Sequence, residues 1–207
     1  MRKILSSVVI GFAMLAAVGT ASAAQDESAA DVQISSSVVI NEVTTVGPNG
    51  ALDEAIEIRN ISSQPVDISG YLIGIFNQAN AVVDTITVPQ GVVLAPKGNV
   101  GQFLVLTGQN FSGTVADQTN VLPFVMAGLE GIPSRGGVAI FNMNNSKIDG
   151  VAFSATAVTP REGVAAQAET VLTQPLGAAN ARDLLSTDRD HNQLDFSLHQ
   201  RTLGAVN

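Results

Sequence analysis

Three aspartates, an asparagine and a histidine fall within eight positions of a chain that otherwise carries little charge, in "TDRDHNQLDF" (Thr187 to Phe196). Asp188, Asp190, Asn192 and Asp195 are oxygen donors at positions 1, 3, 5 and 8 of a D-x-D-x-N-x-x-D string. Alternating oxygen donors suit calcium, a hard cation that accepts roughly six to eight of them. The helix-loop-helix calcium string also needs a glycine at its sixth position and a bidentate glutamate at its twelfth. Gln193 and His199 occupy those positions. The same side chains can equally close a turn by accepting backbone amides. The expected reading is therefore a polar turn, with calcium on Asp188, Asp190, Asn192 and Asp195 as the metal alternative.

A second chemistry would need paired carboxylates. Glu42 in "INEV" and Glu57 in "IEIRN" lie on what should be early strands, and two acids that approach each other are the raw material of glycoside hydrolysis. Such an active site wants a cleft with aromatic platforms, yet the chain has no tryptophan and one tyrosine, Tyr71. The competing expectation is that both are strand-surface acids, with Glu57 facing Arg59 or water. The two histidines, His191 and His199, lack an H-E-x-x-H string, and no G-x-S-x-G presents a serine. No catalytic residue and no cofactor beyond calcium is expected.

The elements that must position these side chains read as strands. "VVINEV", "EAIEIRNI", "PVDISGYLIGIFN", "VVDTITV", "GQFLVLTG" and "GGVAIFNMNNSKIDGVAF" are short β-branched runs. They are separated by the turn chemistry of "GPNG", "SSQP", "APKGN" and "NMNN". In "EAIEIRN", Ile56 and Ile58 share one face and Ala55, Glu57 and Arg59 the other, the pattern of a half-buried strand. "NMNNSKIDG" reads as a hairpin connection in which asparagine tolerates left-handed backbone angles. Arg161 to Thr173 is alanine-rich and reads as a short helix or an irregular connection. Leu194 and Phe196 are expected on one face of a final strand, with Asp195 on the other. The fold class is all-β, an antiparallel sandwich or barrel.

Residues 1–23 have the three parts of a secretory signal: Arg2 and Lys3, an apolar stretch from Ile4 to Val18, and a small-residue site at Ala21-Ser22-Ala23. The apolar run is shorter than the ~20 residues a bilayer span needs, so no transmembrane segment is expected after cleavage. Residues 24–36 read as a flexible leader and 37–207 as the folded domain. The expected location is exported: periplasmic, cell-surface or extracellular. Of 10 Lys and Arg, two lie in the signal segment, whereas all 18 Asp and Glu follow it. So acidic a chain is poorly suited to a phosphate backbone, and nucleic acid is not expected as a ligand. The absence of cysteine excludes disulfide staples, thiolate zinc ligands and a thiol nucleophile, so a hydrophobic core must hold the fold.

Several segments together resemble one family. "VVINEV" followed by "DEAIEIRNISSQPVDISGYLIG" is similar to the opening of a lamin-tail domain, where an I-N-E strand leads to I-E-I/L-x-N and then V-D-L-S-G-W/Y. "VPQGVVLAPKGNVGQFLVL" resembles that family's G-x-x-L-x-P-G-x-x-x-x-V block, and "GGVAIFNMNNSKIDGVAF" its late hairpin. "ARDLLSTDRDHNQLDFSLHQRTLGAVN" is similar to the C-terminal end of many bacterial members. Tyr71 stands where tryptophan is common, and Thr202 and Leu203 where prolines are usual. The resemblance runs from about Val38 to Asn207 and implies an immunoglobulin-like β-sandwich without catalytic activity. It implies a secreted binding or structural module, recognising a protein or an envelope polymer. The alternatives are a small extracellular hydrolase or a calcium-dependent adhesive domain. Oligomeric state is not legible.

Overall fold

β-Branched residues restrict side-chain rotation and pack well on a pleated surface, and nearly every such run in this chain becomes a strand. The computed structural model describes residues 34–128 and 130–207. Residues 1–23, where a secretory signal is expected, and residues 24–33 of the expected leader lie outside the described residues. In chain order the strands are β1 (Val38–Thr44), β2 (Ala55–Asn60), β3 (Val66–Asp67), β4 (Leu72–Phe76), β5 (Val82–Thr87) and β6 (Val93–Leu94). Then come β7 (Phe103–Thr107), β8 (Val121–Pro123), β9 (Gly137–Phe141), β10 (Lys147–Ala152), β11 (Ala178–Ala181) and β12 (Ser197–Gln200). A 3₁₀ turn covers Gln174–Leu176, and a single helical turn, α1, covers Asn192–Asp195. Among the described residues no helix is long and apolar enough to cross a membrane.

Six strands form the larger sheet in the order β12-β11-β1-β2-β7-β8, and four form the smaller one, β10-β9-β4-β5. β3 and β6 make a separate two-stranded ribbon. Every named pairing is antiparallel except β7 with β8, which run parallel. Ile40, Ile56, Ile58, Leu104 and Leu106 from the larger sheet meet Ile73, Ile75, Val138, Ile140 and Val151 from the smaller in one core. Each such aliphatic side chain contributes roughly 1.5–3 kcal/mol relative to exposure. Phe124, Met126 and Ile132, from the apolar segment after β8, join the same core.

The hairpin between β9 and β10 turns at Asn145 in the left-handed region (φ 59°), as asparagine's short polar side chain permits. Arg161 to Thr173 forms no helix and runs as an irregular connection, the 3₁₀ turn starting only at Gln174.

Two expectations need correction. β2 is buried on both faces rather than half-buried, because segments from the far end of the chain cover its polar face. The closing strand begins at Ser197, not at Leu194. Asn192 N donates to Glu162 O (2.9 Å) and Gln193 N to Val164 O (2.9 Å), which winds 192–195 into a helical turn. Leu194 is consequently exposed, while Asp195 and Phe196 are buried.

Candidate functional site

β1 carries a bulge between Ile40 and Glu42, which frees backbone groups of Ile40 and Asn41 from the ladder with β2. Arg182, immediately after β11, occupies that gap. Its amide donates to Asn41 O (2.9 Å) and its Nε to Ile40 O (2.8 Å). Nη2 donates to Asp149 Oδ1 on β10 (2.8 Å), and Asp149 Oδ2 accepts Ile40 N (2.5 Å). Nη1 donates to Thr187 O (2.8 Å) and lies 3.4 Å from Asp188 Oδ1 and 3.3 Å from Asp195 Oδ2. The Phe196 ring lies beneath the guanidinium, 4.5 Å from its central carbon. A planar fork with five donors is what such a crowd of acceptors requires.

The four residues of the calcium string are thereby distributed among other partners. Asp188 Oδ2 accepts Ser35 N (2.6 Å) and Oδ1 accepts Asp190 N (3.0 Å). Asp190 adopts a left-handed backbone (φ 55°). Asn192 is fully buried; its Oδ1 accepts the amides of Ala152 and Glu162, both at 3.0 Å, and its Nδ2 donates to Gly150 O (2.7 Å). Asp195 accepts Arg189 N (2.8 Å), Arg189 Nη1 (3.0 Å) and His191 N (3.2 Å). Asp188 and Asp195 are brought together on Arg182, whereas Asn192 serves β10 and the segment at Glu162.

Sequence reasoning missed three members of this cluster: Asp149, Glu162 and Arg182. The carboxylates of Asp149, Glu162 and Asp188 offer oxygens within 4.8 Å of one another. Glu162 has a side chain only 3% exposed, with Oε1 3.2 Å from Lys147 Nζ and Oε2 buried without a hydrogen-bond donor. Burial first, and the neighbouring Asp149 charge second, push the Glu162 carboxyl up to about 9, against the pull of Lys147. Burial likewise raises Asp149, although Arg182 opposes it. Burial alone would lower Arg182, but Asp149, Asp188 and Asp195 outweigh it and raise the guanidinium. Asp149, Glu162, Asp188 and Asp195 face Lys147, Arg182 and Arg189, and a proton on Glu162 brings the cluster to neutrality. One sequence signal pointed here: Asp149 precedes Val151 by two on a strand, so an acid stands on an apolar face. Such an acid must be paired or protonated.

Glu42 and Glu57 are cross-strand partners on β1 and β2, as two early strands in contact would give. Both are completely buried. Glu42 accepts Thr202 N at 3.0 and 3.1 Å and Thr202 Oγ1 at 2.9 Å. Glu57 accepts Asn41 Nδ2 at 2.7 Å and Gly204 N at 2.5 Å. Burial pushes them up to about 7 and about 8. They lie beneath the C-terminal tail rather than in an open cleft. Glu57 is shut off from water and makes no hydrogen bond to Arg59, whose side chain turns to Gln102 Oε1, Leu184 O and Ser186 Oγ. The histidines lie apart: His191 is half-buried against Gly163, and His199 is exposed on β12 with Nε2 2.7 Å from Ser197 Oγ.

One open surface stands out. β12 ends the larger sheet, and beside it lies a hollow of about 400 Å³ lined by Thr173, Leu176, Ala178, Leu198, His199 and Gln200. Val171, Leu172 and Leu176, in the approach to β11, are 81%, 79% and 72% exposed.

The described residues thus form a β-sandwich whose paired acids Glu42 and Glu57 are sealed under its own C-terminal segment. The family model described as Lamin Tail Domain matches residues 32–155, more than half of the chain. The chain belongs to the lamin tail domain family, whose members are non-enzymatic immunoglobulin-like domains. No curated protein matches it. Glu162, Arg182, Asp188 and Asp195 lie beyond the matched span.

Proposed function

We propose that the chain is an exported binding module that captures an extended polypeptide segment along the free edge of β12. The observation that carries this reading is a sheet edge that no other strand pairs among the described residues, beside exposed aliphatic side chains. Edge strands present unpaired N–H and C=O groups, and proteins usually blunt them with charge, proline or a covering segment. β8 ends in Pro123, and Ala127 N donates to Asp84 on β5. β10 is covered by the closing segment, through Asn192 bonded to Ala152 N and Gly150 O. β12, "SLHQ", contains no acid, no lysine or arginine and no proline.

Strand addition gives affinity through main-chain bonds and specificity through side-chain pockets. Here Leu176 and Leu198 would receive apolar side chains of the added strand. A protein partner suits this surface better than an envelope polysaccharide, since aromatic platforms are scarce, and better than nucleic acid, since the chain is acidic. The export reading rests on residues 1–23.

The test pairs capture from an envelope fraction with amide hydrogen exchange. Wild-type protein is expected to retain a partner and to gain protection at β12 when bound. Leu172→Lys/Leu176→Lys, at exposed positions, should keep its melting temperature and lose capture. Undiminished capture by this variant, or protection appearing elsewhere, would sink the reading.

A further inference from the structure

Beyond Gln200 the chain leaves β12 and crosses the face of the larger sheet opposite the main core. Leu203 is buried there against Ala55, Phe103 and Val105, flanked by Phe111, Val115 and Val121. The segment engages much as a bound peptide would. Thr202–Ala205 forms a turn, closed by Ala205 N donating to Thr202 O (3.0 Å), and two of its amides are read by two carboxylates: Thr202 N meets Glu42 and Gly204 N meets Glu57. Leu203 O accepts Ala116 N (2.9 Å), and Asn207 Nδ2 donates to Arg182 O (2.8 Å). Arg201 Nη1 meets Asp53 Oδ1 at 3.0 Å, and its guanidinium carbon lies 5.0 Å from the centre of the Phe111 ring. Past Arg201, whose amide donates to Gly177 O (3.2 Å), the tail lies outside the named strands.

We propose that this face of the larger sheet is a peptide-binding groove, filled in cis by the chain's own Arg201–Asn207, and that it accepts the same C-terminal sequence from a second copy. The occupant's chemistry is fixed by the groove. An aliphatic side chain must fill the Leu203 pocket. The next residue must be glycine: Gly204 has φ 74°, and a Cβ there would lie 2.5 Å from Asp117 N. The two residues that bracket Leu203 must carry N–H groups for the two carboxylates.

The same carboxylates make the occupant exchangeable. Glu42 on β1 lies within reach of the Arg201 charge in the tail, and Glu57 on β2 within reach of the charges of Glu42 and of Arg59 on β2. Burial beneath the tail opposes ionisation of both acids, so ionisation opposes docking. Both groups are raised above their ordinary 4.5. Their contribution to docking is therefore complete below that value and is lost as pH rises through about 7 and about 8. Above that range the tail should exchange most readily. This groove adjoins the β12 edge where Arg201 N donates to Gly177 O, while its Leu203 pocket is built on Ala55, Phe103 and Val105 of β2 and β7.

The test uses a synthetic peptide of residues 201–207 with two forms of the protein. With a chain truncated after Gln200, the peptide should raise the melting temperature in a saturable way, or restore folded circular dichroism if truncation unfolds the chain. Peptides carrying Leu203→Ala or Gly204→Ala should act more than about tenfold more weakly, as loss of a buried leucine or a forced left-handed residue implies. With the full-length chain, biotinylated peptide should be incorporated above pH about 8 and excluded near pH 6, in line with the raised carboxyls. Absence of binding or refolding at millimolar peptide, or equal action by the Leu203→Ala peptide, would overturn the groove. Peptide binding to the truncated chain without incorporation into the full-length chain at any pH would overturn exchange between copies.

Discussion

Asp149 Oδ1 lies 2.8 Å from Arg182 Nη2, and neither side chain is exposed to solvent at all. One residue comes from the middle of β10 and the other from just past the end of β11, so this contact ties the smaller sheet to the larger through a charge pair rather than through aliphatic packing.

Replacing Arg182 by methionine keeps much of the volume and strands Asp149, Asp188 and Asp195 without their common partner. Breaking a buried pair from one side costs about 3–5 kcal/mol. For a domain of this size that lowers Tm by roughly 6–20 °C, measurable by calorimetry. Arg182→Lys should recover little, since one ammonium cannot reproduce contacts to Ile40 O, Thr187 O and Asp149 together.

Glu162 makes stability fall with rising pH. Its folded value of about 9 lies above the ordinary 4.5, so the unfolded chain releases this proton first. The contribution is complete below 4.5, declines across the interval and is gone above about 9. Glu162→Gln keeps the shape without the titration. The difference in denaturation midpoint between wild type and variant should therefore change steadily from pH 5 to pH 9, within the window those values set. Parallel profiles would show that Glu162 holds no proton in the folded state.

Asn192→Ala leaves Ala152 N, Glu162 N and Gly150 O without their side-chain partner in a buried setting. Unpaired buried groups cost about 1–3 kcal/mol each, so a loss of about 3 kcal/mol or more in a urea titration is expected. Amide exchange should accelerate first at β10 and at Glu162.

Millimolar calcium should leave Tm unchanged. A cation on the Asp188–Asp195 string would have to displace Arg182 and several amides from the same oxygens. A ligand that binds only the folded state must raise Tm. An upward shift abolished by Asp188→Asn would return the loop to metal binding.

What the sequence made legible was local. The β-branched runs became strands because side-chain alternation and turn chemistry act over a few residues, and Glu42 and Glu57 landed on adjoining strands as their motifs implied. Asp188 and Asp195 accept backbone amides, as a polar turn would have them do. The rest depended on distant chain. Nothing near Glu57 reveals that Gly204 will cover it, and nothing near Asp149 reveals that Arg182 will reach it. Leu194 misled because tertiary bonds to Glu162 and Val164 wind its segment into a turn that its alternation does not favour. Thr202 is the instructive departure. The resemblance leads one to expect proline there, but the chain keeps an N–H, and that N–H is the one Glu42 accepts.

The strand order carries a last consequence, for the timing of folding. β1 is flanked by β2, its neighbour in sequence, and by β11, more than a hundred residues further along. A chain emerging N-terminus first can form the β1–β2 hairpin early, but one flank of β1 stays bare until Ala178–Ala181 appear. The bulge at Ile40 likewise waits for Arg182. Contacts so far apart in sequence slow folding, because loop-closure entropy must be overcome before they form. Completion of the sandwich thus waits for residues 178–182, and a nascent chain stopped before Arg182 would lack the charge pair with Asp149 that helps tie its two sheets together.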